Sequence, residues 1–118
     1  MPNNSLTPLI VMNTKELMSR YGAGQRDFRN LNLMAADLRN MNLSGINLSG
    51  ANLTKANLTR TNLSHANLTD AILVGATLTE TNFIQANLTS ANLSDVDLSR
   101  AHLRGAKLPA GTKPGTHP

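Results

Sequence analysis

The chain has no cysteine and no tryptophan, and its aromatics are limited to Tyr21, Phe28 and Phe83. Without thiols there is neither a disulfide framework nor a thiolate metal site, and the sequence carries no redox signature of its compartment. So few rings exclude a core of large mixed side chains and a base-stacking platform for single-stranded nucleic acid. Long apolar runs are also missing, since nothing approaches the roughly 18–20 residues that a membrane span needs. The first apolar stretch, Leu9 to Met12, is too short for a signal peptide and has no basic residue ahead of it, so a cytoplasmic location is expected. Neither sign of charge dominates. Eleven Lys and Arg against seven Asp and Glu give +4, and their scatter suits solubility better than a nucleic-acid footprint. At 118 residues the chain is one domain with short extensions.

What the sequence does have is a period of five. One register without insertion runs through Phe28, Leu33, Leu38, Leu43, Leu48, Leu53, Leu58, Leu63, Leu68, Leu73, Leu78, Phe83, Leu88, Leu93, Leu98, Leu103 and Leu108. Two residues earlier in most units stands a small or apolar residue, often Ala. Between them stands Asn or Asp from Asp27 to Asp97, with exceptions at Ile72 and Thr77. Ser or Thr usually follows the Leu, then a variable polar residue or Gly. The repeat block is 26–110. The many Asn-x-Ser/Thr triplets follow from this unit and are read as accidental rather than as glycosylation acceptors.

Residues 1–12 form an N-terminal extension. A capping helix and turn are expected over 13–24: Asn13 and Glu16 make a capping-box pattern, Leu17, Met18 and Tyr21 share a face, and Gly22-Ala23-Gly24 stops it. Residues 111–118, with three of the last ten residues proline, are expected to be a disordered tail.

A helix turns about 140° over five residues, which would spread the leucines around all sides. A flat strand has period two, so an odd step sends alternate leucines to opposite faces. A corner in every repeat resolves the conflict, and repeated corners wind the chain into an all-β parallel solenoid. Period five does not itself choose three sides over four. Steps of twenty align Arg60, Glu80 and Arg100 with alternating sign, and Thr61 with Thr81 between Met41 and Ala101 among the outward columns, which favours four.

The unit Ala51-Asn52-Leu53-Thr54-Lys55 resembles the pentapeptide repeat proteins, and ELMSRYGAGQRDFRNLNL is similar to the helical cap and first coil of small cyanobacterial members. The resemblance implies a right-handed quadrilateral parallel β-helix with twenty residues per coil and about four coils. It further implies the Leu/Phe column and the small residue before it inside, and a short N-terminal capping α-helix. Leu31, Met41 and Ile46, bulkier than the alanines of later repeats, fit a floor that meets the cap.

Chemistry is sparse. His65, His102 and His117 lack metal-ligand spacing, and no phosphate-loop, dinucleotide or HExxH motif occurs. Asp95 and Asp97 read as solvated surface. No catalytic residue, cofactor or metal is expected. Ile72, Val74 and Ile84 break the outward polar pattern, with Met34 on the side of Ile72 and Val74. Arg100, Arg104 and Lys107 make the last repeats basic, where charge and Pro109 can protect an open edge. These six are the candidate interaction surface. The expected function is a non-enzymatic scaffold for a protein partner, with no membrane and little prospect of DNA binding, as a monomer or in weak end-to-end association. Relatives that imitate DNA and modulate gyrase supply the alternative, although such a mimic needs a strongly negative surface.

Overall fold

Every fifth residue begins a tight turn. The carbonyl of the periodic Leu accepts the N–H three residues on, as from Leu33 to Ala36 (3.1 Å), Leu53 to Ala56 (2.9 Å) and Leu63 to Ala66 (3.1 Å). The third residue of nearly every turn, Arg100 excepted, has positive φ, the type II pattern. Glycine holds it at Gly45 (72°) and Gly50 (70°), but Ala35 (57°), Lys55 (59°), Arg60 (57°) and His65 (60°) hold it elsewhere. An L-residue in that region costs roughly 1–2 kcal/mol, so other contacts must impose it. The Asn that precedes most of these Leu residues is one. Its Oδ1 accepts the N–H two residues ahead, from Thr54 to Asn52 (3.0 Å) and from Thr69 to Asn67 (3.0 Å), and the Thr hydroxyl donates to the same oxygen at 2.6 and 2.7 Å. The Asn-Leu-Thr unit is thus an Asx turn that fixes the chain's entry into the corner.

The structure is a computed structural model and describes residues 10–112. Parallel bridges join residues twenty apart, including Asn42 with Asn62, Asn47 with Asn67, Asn62 with Asn82, and Asn82 with His102. Leu N–H groups donate up the stack (Leu53 to Ile72 C=O, 2.6 Å; Leu63 to Asn82, 2.8 Å), and Asn N–H groups donate down it (Asn62 to Met41 C=O, 2.9 Å). This is a β-helix-type repeat fold, in which four pentapeptides separate each residue from the one stacked on it.

Inside, the periodic residues from Phe28 to Leu88 are all buried, together with Leu98, whereas Leu93, Leu103 and Leu108 are half-buried. The second inward position is mostly Ala, so large and small side chains alternate through the interior. Thr61 and Thr81 correct an expectation. Treated as an outward column, they are fully buried instead, and their hydroxyls donate to Leu38 C=O (2.6 Å) and Leu58 C=O (2.7 Å). A hydroxyl is tolerated there because it is small and partnered.

The helix α1 spans Thr14–Gly22, and the Asn13 side chain accepts Glu16 N–H at 2.8 Å. Leu17 is fully buried against the first layer, where Leu31 and Ile46 are buried and Met41 is half-buried. Tyr21 donates its hydroxyl to Ser44 C=O (2.6 Å), a carbonyl at the edge that the helix covers. The extension is more than a leader to the helix. Ile10–Val11 forms β1, parallel to β2 (Leu31–Asn32), with Ile10 N–H on Asn30 C=O at 3.0 Å. At the other end Thr112 N–H closes a turn onto Pro109 C=O (3.1 Å), while the rest of the expected tail, 113–118, and residues 1–9 lie outside the described residues.

Leu63→Ala should cost about 2–5 kcal/mol in urea unfolding, and Leu63→Asp should prevent folding by circular dichroism. Lys55→Glu, at an exposed turn, should stay within about 0.5 kcal/mol of the parent. Thr81→Val should cost only about 1 kcal/mol, because Leu58 C=O still accepts Thr61 N–H (3.0 Å).

Candidate interaction surface

The stack places the outward side chains in columns. One column runs Asn32, Asn52, Ile72, Asn92 through successive bridges, and Val11 joins its lower end by pairing with Asn32. Among the described residues the exposed large hydrophobics are Ile10 (58%), Val11 (77%), Met34 (54%) and Ile72 (36%), all in this column or beside it. Val74 is half-buried next to Ile72. At the lower end Val11, Met12, Asn32 and Met34 line a shallow groove of about 450 Å³. Ile10 and Val11 were not among the candidates. The available signal was the run Leu9-Ile10-Val11 directly ahead of a helix cap.

Ile84 stands apart from this column, half a layer further along the chain. It is half-buried and lines a notch of about 350 Å³ with Ala101, His102, Leu103 and Arg104. The six candidates therefore separate: Ile72 with Val74 on one side, Ile84 with Arg104 on another. Lys107 lies in the Asn87 column. Arg100 is exposed and reaches Glu80 across the stack at 3.5 Å. No acid pairs with Arg104 or Lys107 among the described residues.

Acids near the N-terminal end are neutralised in place. Arg29 pairs with Asp27 (2.9 Å) and Arg39 with Asp37 (2.7 Å), each acid sitting at the Asn position of its repeat. The Arg39 side chain, followed by its backbone N–H, lowers the Asp37 carboxyl to about 2, and Arg29 lowers Asp27 in the same way. Arg26 stacks on the Tyr21 ring at 3.7 Å and donates to Tyr21 C=O at 2.8 Å. His65 occupies a positive-φ turn position and His102 bridges Asn82, so the two are in different repeats. Among the described residues no cluster of three His, Cys, Asp or Glu could hold a metal ion, and His117 lies outside them.

The repeated Asx turn and the twenty-residue ladder define a β-helix-type repeat protein. The chain belongs to the pentapeptide repeat family, whose model matches residues 32–70 and 71–108 in eight copies. Among solved structures it is similar to a pentapeptide repeat protein of Nostoc PCC 7120, with 36% identity over 91% of this chain and 92% of that one (TM-score 0.40). It is also similar to HetL from Nostoc sp. strain PCC 7120, a pentapeptide repeat protein involved in heterocyst differentiation regulation, with 32% identity over 80% of this chain (TM-score 0.46). The chain spans about half, 53%, of the HetL chain. A third is a pentapeptide repeat protein from the thylakoid lumen of Arabidopsis thaliana, with 29% identity over 69% of this chain and 57% of that one (TM-score 0.34). No curated protein matches the chain.

A depressed carboxyl stabilises the fold above its ordinary value, and that contribution is lost as pH falls through the folded value. For Asp37 the loss therefore runs from 3.8 down to about 2. Arg39→Gln should move the Asp37 midpoint back up toward 3.8, read from its carboxyl carbon shift; a midpoint left near 2 would assign the shift to another group.

Proposed function

We propose that this protein is a non-enzymatic, cytoplasmic interaction module. It presents a right-handed, four-sided parallel β-helix of about four coils as a rigid rod to a protein partner. The observation that carries this reading is the placement of Ile10, Val11, Met34 and Ile72 in or beside one column of an otherwise largely polar surface. Exposed apolar side chains gathered on one side of such a surface gain by being covered. The rigid ladder supports it without induced order, which keeps the entropic cost of association low. Catalysis has no comparable support, since the hydroxyls are committed to Asx turns, as at Thr54 and Thr69. Among the described residues no helix is long and apolar enough to cross a membrane.

Charge weighs against the DNA-mimic alternative. A mimic needs rows of uncompensated acids, and here Asp27, Asp37 and Glu80 each face an Arg. In a gyrase supercoiling titration the protein should have no effect up to large molar excess; stoichiometric inhibition would restore the mimic. In parallel, an affinity capture should recover a partner with the parent chain that Ile72→Asp/Val74→Asp fails to recover while keeping the parent's circular dichroism. Equal recovery by both would contradict the use of this face.

A further inference from the structure

The ladder has an unfilled end. In the layer below it, Thr81 C=O accepts His102 N–H (2.9 Å) and Ala86 C=O accepts Lys107 N–H (2.9 Å), while Phe83, Gln85 and Leu88 donate to His102, Arg104 and Lys107 carbonyls at 2.8, 2.9 and 2.7 Å. One layer up, the same five groups are Ala101 C=O, Ala106 C=O, and the N–H groups of Leu103, Gly105 and Leu108. None of these meets a partner among the described residues. They repeat the positions paired twenty residues earlier, and the Leu103–Ala106 turn (2.9 Å) sets a corner between Leu103 and Leu108. An unpaired row of this kind is a template for another chain that follows the same corner.

The side chains on this edge state which chain it suits. Arg104 and Lys107 are exposed and have no acidic partner among the described residues, and His102 is exposed between the same turns. Asp27 and Asp37, at the repeat position of Lys107, are each met by Arg two residues on; here the sign is reversed and unbalanced. Ile84 and Leu103 line the notch beside Arg104 and supply an apolar contact below the edge.

We propose that the edge over residues 101–108 takes up an acidic polypeptide segment as one further rung of the ladder, bending with the Leu103–Ala106 corner. Main-chain groups of the segment pair with Leu103 and Gly105, and its carboxylates lie against Arg104 and Lys107. An aliphatic side chain occupies the notch at Ile84. The proposal rests on the interaction-module reading and names a partner chemistry and a second site for it. Charge sets the choice of partner and the rate of encounter, whereas the main-chain pairs hold the segment in register.

The test uses the full chain, isotope-labelled, with three end-blocked octapeptides: alternating Glu-Val, the same peptide N-methylated at alternate residues, and alternating Lys-Val. The Glu-Val peptide should bind saturably and slow amide exchange at Leu103, Gly105 and Leu108 by about tenfold or more. The N-methylated and Lys-Val peptides should leave those amides unchanged. Arg104→Glu/Lys107→Glu, two exposed positions, should lose the Glu-Val response by about tenfold in affinity or more. Equal binding of the N-methylated peptide would overturn strand addition, and so would no response at these amides. An equal response to Lys-Val or to a short DNA duplex would overturn the acidic-peptide assignment. Binding that moves only amides around Ile72 and Val74 would overturn this site yet leave the interaction-module reading standing.

Discussion

Nearly every corner of this chain holds a residue with positive φ, and eleven of those residues are not glycine. The interaction that makes this tolerable is the Asn side chain before the Leu, whose oxygen captures the next turn's N–H and often a hydroxyl as well. With the corner fixed, the Leu must point inward in every repeat. The backbone N–H and C=O groups then face along the stack, where the next layer is their only source of partners. Turn, core and ladder are one construction, and loss of any part removes the geometry of the others. Stability in such a stack is distributed between neighbours and not held in a single nucleus of contacts.

The ends follow from the same constraint. A ladder satisfies each layer through the ones beside it, so the first and last layers need substitutes. At the N-terminal end β1 pairs with β2, Leu17 closes the interior, and Tyr21 takes the carbonyl of Ser44. Larger inward residues there, Leu31 and Ile46 in place of alanine, fill the space between helix and first layer. The C-terminal end differs in kind. Leu103 and Leu108 are half-buried, and the residues around them are basic.

Much of this was legible because period five conflicts with both the helical and the strand period, so the leucine register implied corners and an inward column. The helix cap was legible from Asn13, whose side chain accepts Glu16 N–H, although the Glu16 carboxylate turns to Arg20 (2.6 Å) and completes only half of the capping box. The strand at Ile10–Val11 was not, because two residues carry no periodicity and its partner, Leu31–Asn32, is distant in sequence. Thr61 and Thr81 misled for a physical reason: a hydroxyl reads as outward until a carbonyl below it is seen to accept its proton. The candidate surface was legible only as a list of exceptions. Ile72, Val74 and Ile84 break the pattern in sequence, but only the stack shows that Ile72 shares a column with Val11 and that Ile84 does not.

The central claim is the twenty-residue ladder, and its most direct measurement is through-hydrogen-bond scalar coupling on the isotope-labelled protein. The account predicts correlations from the amides of Leu43, Leu48, Leu53 and Leu58 to the carbonyl carbons of Asn62, Asn67, Ile72 and Thr77. Correlations displaced by one pentapeptide, from Leu43 to Asn57 for instance, would mean a three-sided coil and would contradict the stacking on which both proposed surfaces depend.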